Sequence, residues 1–235
     1  MNRPYTICHV LSALDGAIAG SFMGKSECLE ALEAYGAIRV NFDCSAILYG
    51  TTTMLEFCDG CVGKLSKAKS TERKDYLSPD AEPPFAVAID RYGKLAYSRN
   101  YLERHGKRQH IIEVLTENVS DEYAAYLRNL GISYIFAGKT DLDCVACMVK
   151  LKELFKIDRL MIAGGGYIDW AFADSGMIDE LSLVLAPAAD GEDRVTVFEK
   201  GGKSQNSAIA FTLLDVQKLD GNAVWLRYNF TNAIR

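Results

Sequence analysis

Three consecutive glycines, Gly164-Gly165-Gly166, stand between an apolar run and a helix-like one in RLMIAGGGYIDWAFADSGMIDEL. Leu160 to Ala163 reads as a short buried strand, and Ile168 to Ser175 as a helix stopped by Gly176. A turn without Cβ atoms lets a ligand come close to the backbone. The unbonded N–H groups at a helix start favour a phosphate there. The chemistry this points to is the binding of a nucleotide cofactor. Two Cys-x-x-Cys pairs, Cys58/Cys61 and Cys144/Cys147, are the other reactive constellation, and their spacing admits a four-thiolate zinc site. The second pair, however, follows a helical period in which Cys144, Met148, Leu151 and Phe155 share a face, with Cys147 on its flank. Buried cysteine packs as a small hydrophobe, which favours a core role and no metal. Cys58-Asp59-Gly60-Cys61 lies in a glycine-containing loop, where a thiol can react.

The elements that must position these residues belong to a chain of 235 residues, enough for one large α/β domain. Acidic side chains number 31 against 26 basic, a formal net charge of -5, which argues against a nucleic-acid partner. The opening MNRPYTICHV has no apolar run long enough for a signal peptide or a membrane span. With seven cysteines, an odd number, a disulfide framework is not expected either, and the reading is cytoplasmic.

Strand and helix signals alternate from the N-terminus to about residue 176. Strands are expected at 5–11, 46–49, 85–89, 111–115, 134–137 and 160–163, and helices at 27–42, just after 51–53, from the Ser120 cap to Gly131, and at 143–155. Alternation of this kind specifies a mostly parallel central sheet with flanking helices. After Gly176 the pattern turns to strands at 180–187, around 196–198, at 208–219 and at 223–230. The last two are joined by a hairpin at Asp220-Gly221-Asn222. Residues 58–84 turn polar and read as a surface excursion, a candidate flap. Residues 231–235 read as a tail on a single domain, 1–235.

The ordered set SALDGAIAG (12–20), AILYGTTTM (46–54), the strand ending in Asp90, IAGGGYI (162–168) and SGMIDELSLVLAPAADG (175–191) resembles the reductase domain of riboflavin-biosynthesis deaminase-reductases, within the dihydrofolate reductase-like superfamily. The resemblance runs from Arg3 to about Phe230. It implies a three-layer α/β fold and an NADPH-dependent reduction of a ribosylamino-pyrimidine phosphate, with hydride passing to the ribosyl C1′ carbon. It implies that Gly164, Gly165, Gly166, Tyr167 and Ile168 form the pyrophosphate turn. Thr53 matches the cofactor-binding threonine, Gly50 and Thr51 bring backbone to the same ligand, and Arg91 falls at the adenosine end, where it could pair with a 2′-phosphate. Ser12 and Asp15 match the segment beside the nicotinamide and are the candidate catalytic residues. The resemblance also implies a homodimer, which an apolar C-terminal edge strand would favour. No His-x-Glu with a following Pro-Cys-x-x-Cys is present, so deamination is not expected.

Three positions depart from the family pattern. Phe57 stands at the family's aspartate, Ala163 at its glutamate before the glycines, and Asn41 at the helix arginine that grips the substrate phosphate. Arg39 is the nearest basic residue to that last position, and Asp169 is a candidate replacement carboxylate. The rival readings are a reductase of another substrate, such as a pterin, and a nucleotide-binding protein that has lost the chemistry.

Overall fold

A computed structural model describes residues 1–67, 73–104, 106–192, 195–201 and 208–231. Its strands are β1 (Tyr5–Ser12), β2 (Ala46–Tyr49), β3 (Phe85–Ile89), β4 (Tyr101–Arg104), β5 (Lys107–Leu115), β6 (Ser133–Phe136), β7 (Arg159–Ile162), β8 (Glu180–Leu185), β9 (Phe211–Lys218) and β10 (Val224–Phe230). Its α-helices are α1 (Leu29–Asn41), α2 (Thr51–Leu55), α3 (Asp121–Leu130), α4 (Cys144–Phe155) and α5 (Gly166–Asp174). The contacts divide the chain into two units. The first is Tyr5–Cys44 with Arg159–Arg235, and the second is Ser45–Asp158.

In the first unit, β7, β1 and β8 run parallel, with Cys8 of β1 flanked by Ile162 and Leu181. Then β8, β10 and β9 pair antiparallel. The strand interior is held by a buried polar chain. Trp225 Nε1 donates to Ser182 Oγ (2.8 Å), which meets His9 Nδ1 at 2.9 Å, and His9 Nε2 donates to the Tyr35 carbonyl at 3.0 Å. Burial pushes the His9 pKa down to about 4, so the ring stays neutral and can play both roles. The β9–β10 hairpin turns through Gly221 and Asn222, with φ of 62° and 60°. Two positive φ values in succession give the turn whose twist matches paired strands, as the Asp-Gly-Asn text implies.

In the second unit, β2, β3 and β5 are parallel, and β4 and β6 share the far side of β5. Lys107–His110 of β5 meets β4 antiparallel, and Ile112–Leu115 meets β6 in parallel. Helix α3 begins at Ser120, whose side chain accepts from Tyr123 N, and ends at Gly131 with φ of 72°. Helix α4 buries Cys144, Cys147, Met148, Leu151 and Phe155, the face expected from periodicity. The pairing is therefore mixed and mostly parallel, with flanking helices and antiparallel C-terminal strands, as the sequence implies. Among the described residues no helix is long and apolar enough to cross a membrane.

Several boundaries differ from expectation. Helix α5 begins at Gly166 rather than Ile168, because the Gly165 carbonyl accepts the N–H groups of both Ile168 (2.9 Å) and Asp169 (3.1 Å). The 27–42 helix opens with a 3-10 turn at Ser26–Cys28. No strand forms over 196–198. Thr196 makes one isolated bridge to Ala17, and Glu199 takes its N–H and hydroxyl, turning the chain back. The β4–β5 hairpin is an addition. In the 58–84 excursion, Asp75 accepts from Phe136 N (2.8 Å) and pairs with Lys150 (2.8 Å), while Tyr76 bridges to Tyr134. Residues 68–72 of that excursion, and 232–235 of the tail, lie outside the described residues.

Candidate functional site

The glycine turn follows β7 directly. Ala163, Gly164 and Gly165 are half-buried, Tyr167 is exposed and Ile168 is half-buried. The three glycines are not equivalent. A Cβ on Gly165 would meet nothing within 4 Å, so this position faces open space. A Cβ on Gly166 would collide with the Thr196 carbonyl and come within 2.8 Å of Glu199 Cγ. A Cβ on Gly164 would lie 3.0 Å from Ile168 Cγ2 and 3.6 Å from Asp169 Oδ1. Gly166 is therefore required by the fold, whereas the open side of Gly165 leaves room for a ligand. The N–H groups of Gly166 and Tyr167 open the helix without intrahelical acceptors. The arrangement fits an anionic group such as a pyrophosphate.

The segment 195–201 joins this turn to another. Glu199 N donates to Gly166 O (3.0 Å), and Ile18 N donates to Val195 O (3.0 Å). Thr196 thus touches both the start of α5 and the Asp15-Gly16 turn, where Gly16 has φ of 88°. Sequence reasoning missed Thr196 and Glu199. The one available signal was a Thr and a Glu three residues apart, which is common in any loop.

Ser12 and Asp15, the candidate catalytic residues, are both engaged within this unit. Ser12 is buried, and its hydroxyl donates to the Ala13 carbonyl (2.6 Å). Asp15 is exposed. Its Oδ2 accepts from Asp190 N and Gly191 N (2.8 Å each), and Oδ1 from Ala17 N (3.3 Å). These amide bonds, led by that of Gly191, hold its carboxyl below the usual range. Asp15 is therefore a loop anchor that stays ionised. Arg39 on α1 is half-buried and close enough for its charge to act on His9, while Asn41 is exposed. Asp169 has no exposed surface, so its reading as a substrate carboxylate has no accessible atom behind it.

In the second unit, Gly50 precedes α2, and Thr51 Oγ1 donates to the Ile89 carbonyl (2.6 Å), tying the helix start to the end of β3. Thr53 is half-buried one turn in. Beyond β3, Asp90 accepts the backbone N–H groups of Lys94 (2.5 Å) and Leu95 (2.8 Å). The Arg91 guanidinium lies 3.3 Å from Asp141 Oδ1 and 5.2 Å from the Tyr92 ring centroid. Phe57 packs edge-on against Tyr49 with ring centroids at 5.4 Å, and the Arg104 guanidinium sits 3.6 Å from its centroid. Among the described residues, no group of three or more His, Cys, Asp or Glu is placed to hold a metal.

The RibD C-terminal domain pattern matches residues 4–225, nearly the whole chain. The chain belongs to the RibD C-terminal domain family. A 2,5-diamino-6-ribosylamino-4(3H)-pyrimidinone 5′-phosphate reductase of Methanothermobacter thermautotrophicus is 24% identical over 201 residues, 85% of this chain and 86% of that one. Among solved structures, Acinetobacter baumannii RibD is similar with a TM-score of 0.64 at 22% identity, over 98% of this chain and 59% of that one. A pyrimidine reductase-like protein of Corynebacterium diphtheriae has a TM-score of 0.67 at 15% identity, over 100% and 93%. The chain thus spans about three-fifths of the RibD chain it matches. These likenesses establish the dihydrofolate reductase-like fold implied by the sequence.

Proposed function

We propose that this chain is an NADPH-dependent reductase of the riboflavin-biosynthesis type, acting on a phosphorylated, ribosylated pyrimidine. The observation that carries the reading is the open side of Gly165 at the N-terminus of α5, inside a family match that spans 4–225. That span, which takes in both units, also supports one reductase domain over 1–235. The relative from Methanothermobacter supplies the substrate class.

In this reading, Gly164 to Ile168 hold the pyrophosphate through backbone N–H groups. Gly50, Thr51 and Thr53 serve the ribose and nicotinamide side. Arg91 takes the 2′-phosphate by exchanging Asp141, an exposed partner whose ion pair is weak and easily replaced. Arg39 stands on the substrate-phosphate side. NADPH supplies the hydride, and the chain contributes orientation and an anion-favouring field. Ser12 and Asp15 act by shaping the 12–17 turn, since both side chains are already bonded within the fold. Loss of substrate oxidation of NADPH in a folded sample that still binds NADPH would favour the rival, a nucleotide-binding protein without the chemistry. The same bonded state of Ser12 and Asp15 is what favours that rival.

A homodimer and a cytoplasmic location complete the proposal. Strand β9 ends the strand order of its unit and exposes Leu213, Leu214 and Val216 at 53%, 46% and 53%. An apolar edge of this kind is normally covered. Light scattering should return a dimer, and Val216→Lys should shift it toward monomer. A monomeric wild type contradicts this part.

A further inference from the structure

Asp169 is in the first turn of α5, four residues after the Gly165 cap. An acid near a helix N-terminus ordinarily faces water or caps an N–H group as a carboxylate. Asp169 does neither. It is fully buried, and neither carboxyl oxygen has a hydrogen-bond partner. The carboxyl lies next to the glycine turn, with Oδ1 3.6 Å from the point a Gly164 Cβ would occupy.

The surroundings give the charged form little support. From β1, the Cys8 thiol lies beside the carboxyl, a weak donor that favours the charged form less than burial opposes it, and burial pushes that thiol up as well. The residues paired with Cys8 on either side, Ile162 and Leu181, are apolar. Against Gly166 lies Glu199, a half-buried acid whose carboxylate is held by the Thr196 N–H and hydroxyl. Those bonds keep Glu199 low, so it stays charged while Asp169 changes. Desolvation drives the Asp169 carboxyl well above the usual range.

We infer that Asp169 sets the affinity of the glycine turn for an anion through its own charge state. As a neutral acid it lets a phosphate group sit on the N-terminus of α5, and as a carboxylate it repels that group. The inference rests on the reading that this turn takes the pyrophosphate of NADPH. Asp169 is thus an affinity-setting residue that lies beside the turn and acts through its field.

The test compares the wild type with Asp169→Asn, an isosteric neutral side chain. Calorimetry from pH 7 to alkaline pH would use NADPH and, separately, inorganic pyrophosphate. Ionisation of the ligand is common to both proteins and cancels in the ratio of affinities. Wild-type affinity for either ligand should fall about tenfold or more as the carboxyl ionises, and Asp169→Asn should not share that fall. A second measurement needs no variant. In the wild type, the 13C signal of the Asp169 carboxyl should titrate well above that of an exposed aspartate. Saturating NADPH should raise its midpoint by about one pH unit or more, the linked counterpart of a tenfold affinity change.

Equal pH profiles in the two proteins, or a carboxylate signal at neutral pH, overturn the inference and leave the reductase reading standing. A pH-dependent pyrophosphate response lost in Asp169→Asn, with no NADPH binding, supports the inference and removes the NADPH reading. Binding of neither ligand to folded protein removes both.

Discussion

Glu113 in the second unit and Asp169 in the first are both fully buried acids, and they differ in what meets them. Glu113 Oε1 accepts a short hydrogen bond from Tyr97 OH. Nearby, Tyr123 OH donates to the Leu95 carbonyl (2.7 Å) and lies 3.2 Å from Asp90 Oδ2. That cluster fixes the 90–97 segment, and burial with the neighbouring Asp90 charge holds Glu113 in its neutral form. Asp169 also has its pKa raised by burial, yet the weakly donating Cys8 thiol is set beside it in place of a hydroxyl, and it lies next to a helix start with an open glycine. A partnered buried acid secures structure. A weakly partnered one is tolerated where a bound charge gives it a role, because leaving it so costs stability.

The largest effect that would separate the two regions is on stability. Glu113→Ala should lower unfolding free energy by about 3 kcal/mol, since it strands the Tyr97 hydroxyl and opens a cavity. Nucleotide affinity should be unchanged, as measured by denaturant unfolding beside an NADPH titration. The glycine turn should behave in the opposite way. Gly165→Val should leave Tm in place, because its side chain meets nothing in the protein and its φ of -80° suits any residue. NADPH affinity should drop at least tenfold, about 1.4 kcal/mol or more. Gly166→Ala, which collides with the Thr196 carbonyl, should lower Tm as well as affinity.

Next in size is the pH dependence. Both acids have folded pKa values raised above those of the unfolded chain. Their contribution to stability is complete below the unfolded value of about 4 and declines as pH rises toward the folded values, by up to about 1.4 kcal/mol per pH unit for each group. Glu113→Gln and Asp169→Asn should therefore each lose less stability than the wild type between pH 5 and 8. Thermal melts across that range give the slopes, and identical slopes would show that neither acid is neutral in the fold. The smallest effect expected is at Arg91. Asp141→Asn should tighten NADPH by a few-fold with little change for NADH, because it frees the guanidinium from a weak surface pair. Competitive titration of the two cofactors reads that ratio.

Much of this architecture was legible in the sequence, for physical reasons. The periodicity of Cys144, Met148, Leu151 and Phe155 implied the buried face of α4, and Asp220-Gly221-Asn222 implied its hairpin. The glycine triplet was legible because few other residues allow a backbone to be approached. What it could not reveal was the division of labour among the three, since the obstacle at Gly166 is Thr196, thirty residues on. The β4–β5 hairpin was hidden by Glu103, Arg104, Lys107 and Arg108, whose charges conceal strand alternation at a sheet edge. Asp169 read as a candidate substrate carboxylate, because local sequence carries the preference for an acid at a helix start and not the depth of burial.

The central claim is that the turn at Gly165 holds a nucleotide, and NADPH calorimetry on the wild type and Gly165→Val tests it most directly. The wild type should bind saturably, and the variant at least tenfold more weakly while melting at the same temperature. No binding to the folded wild type, or equal affinity in the variant, would contradict it.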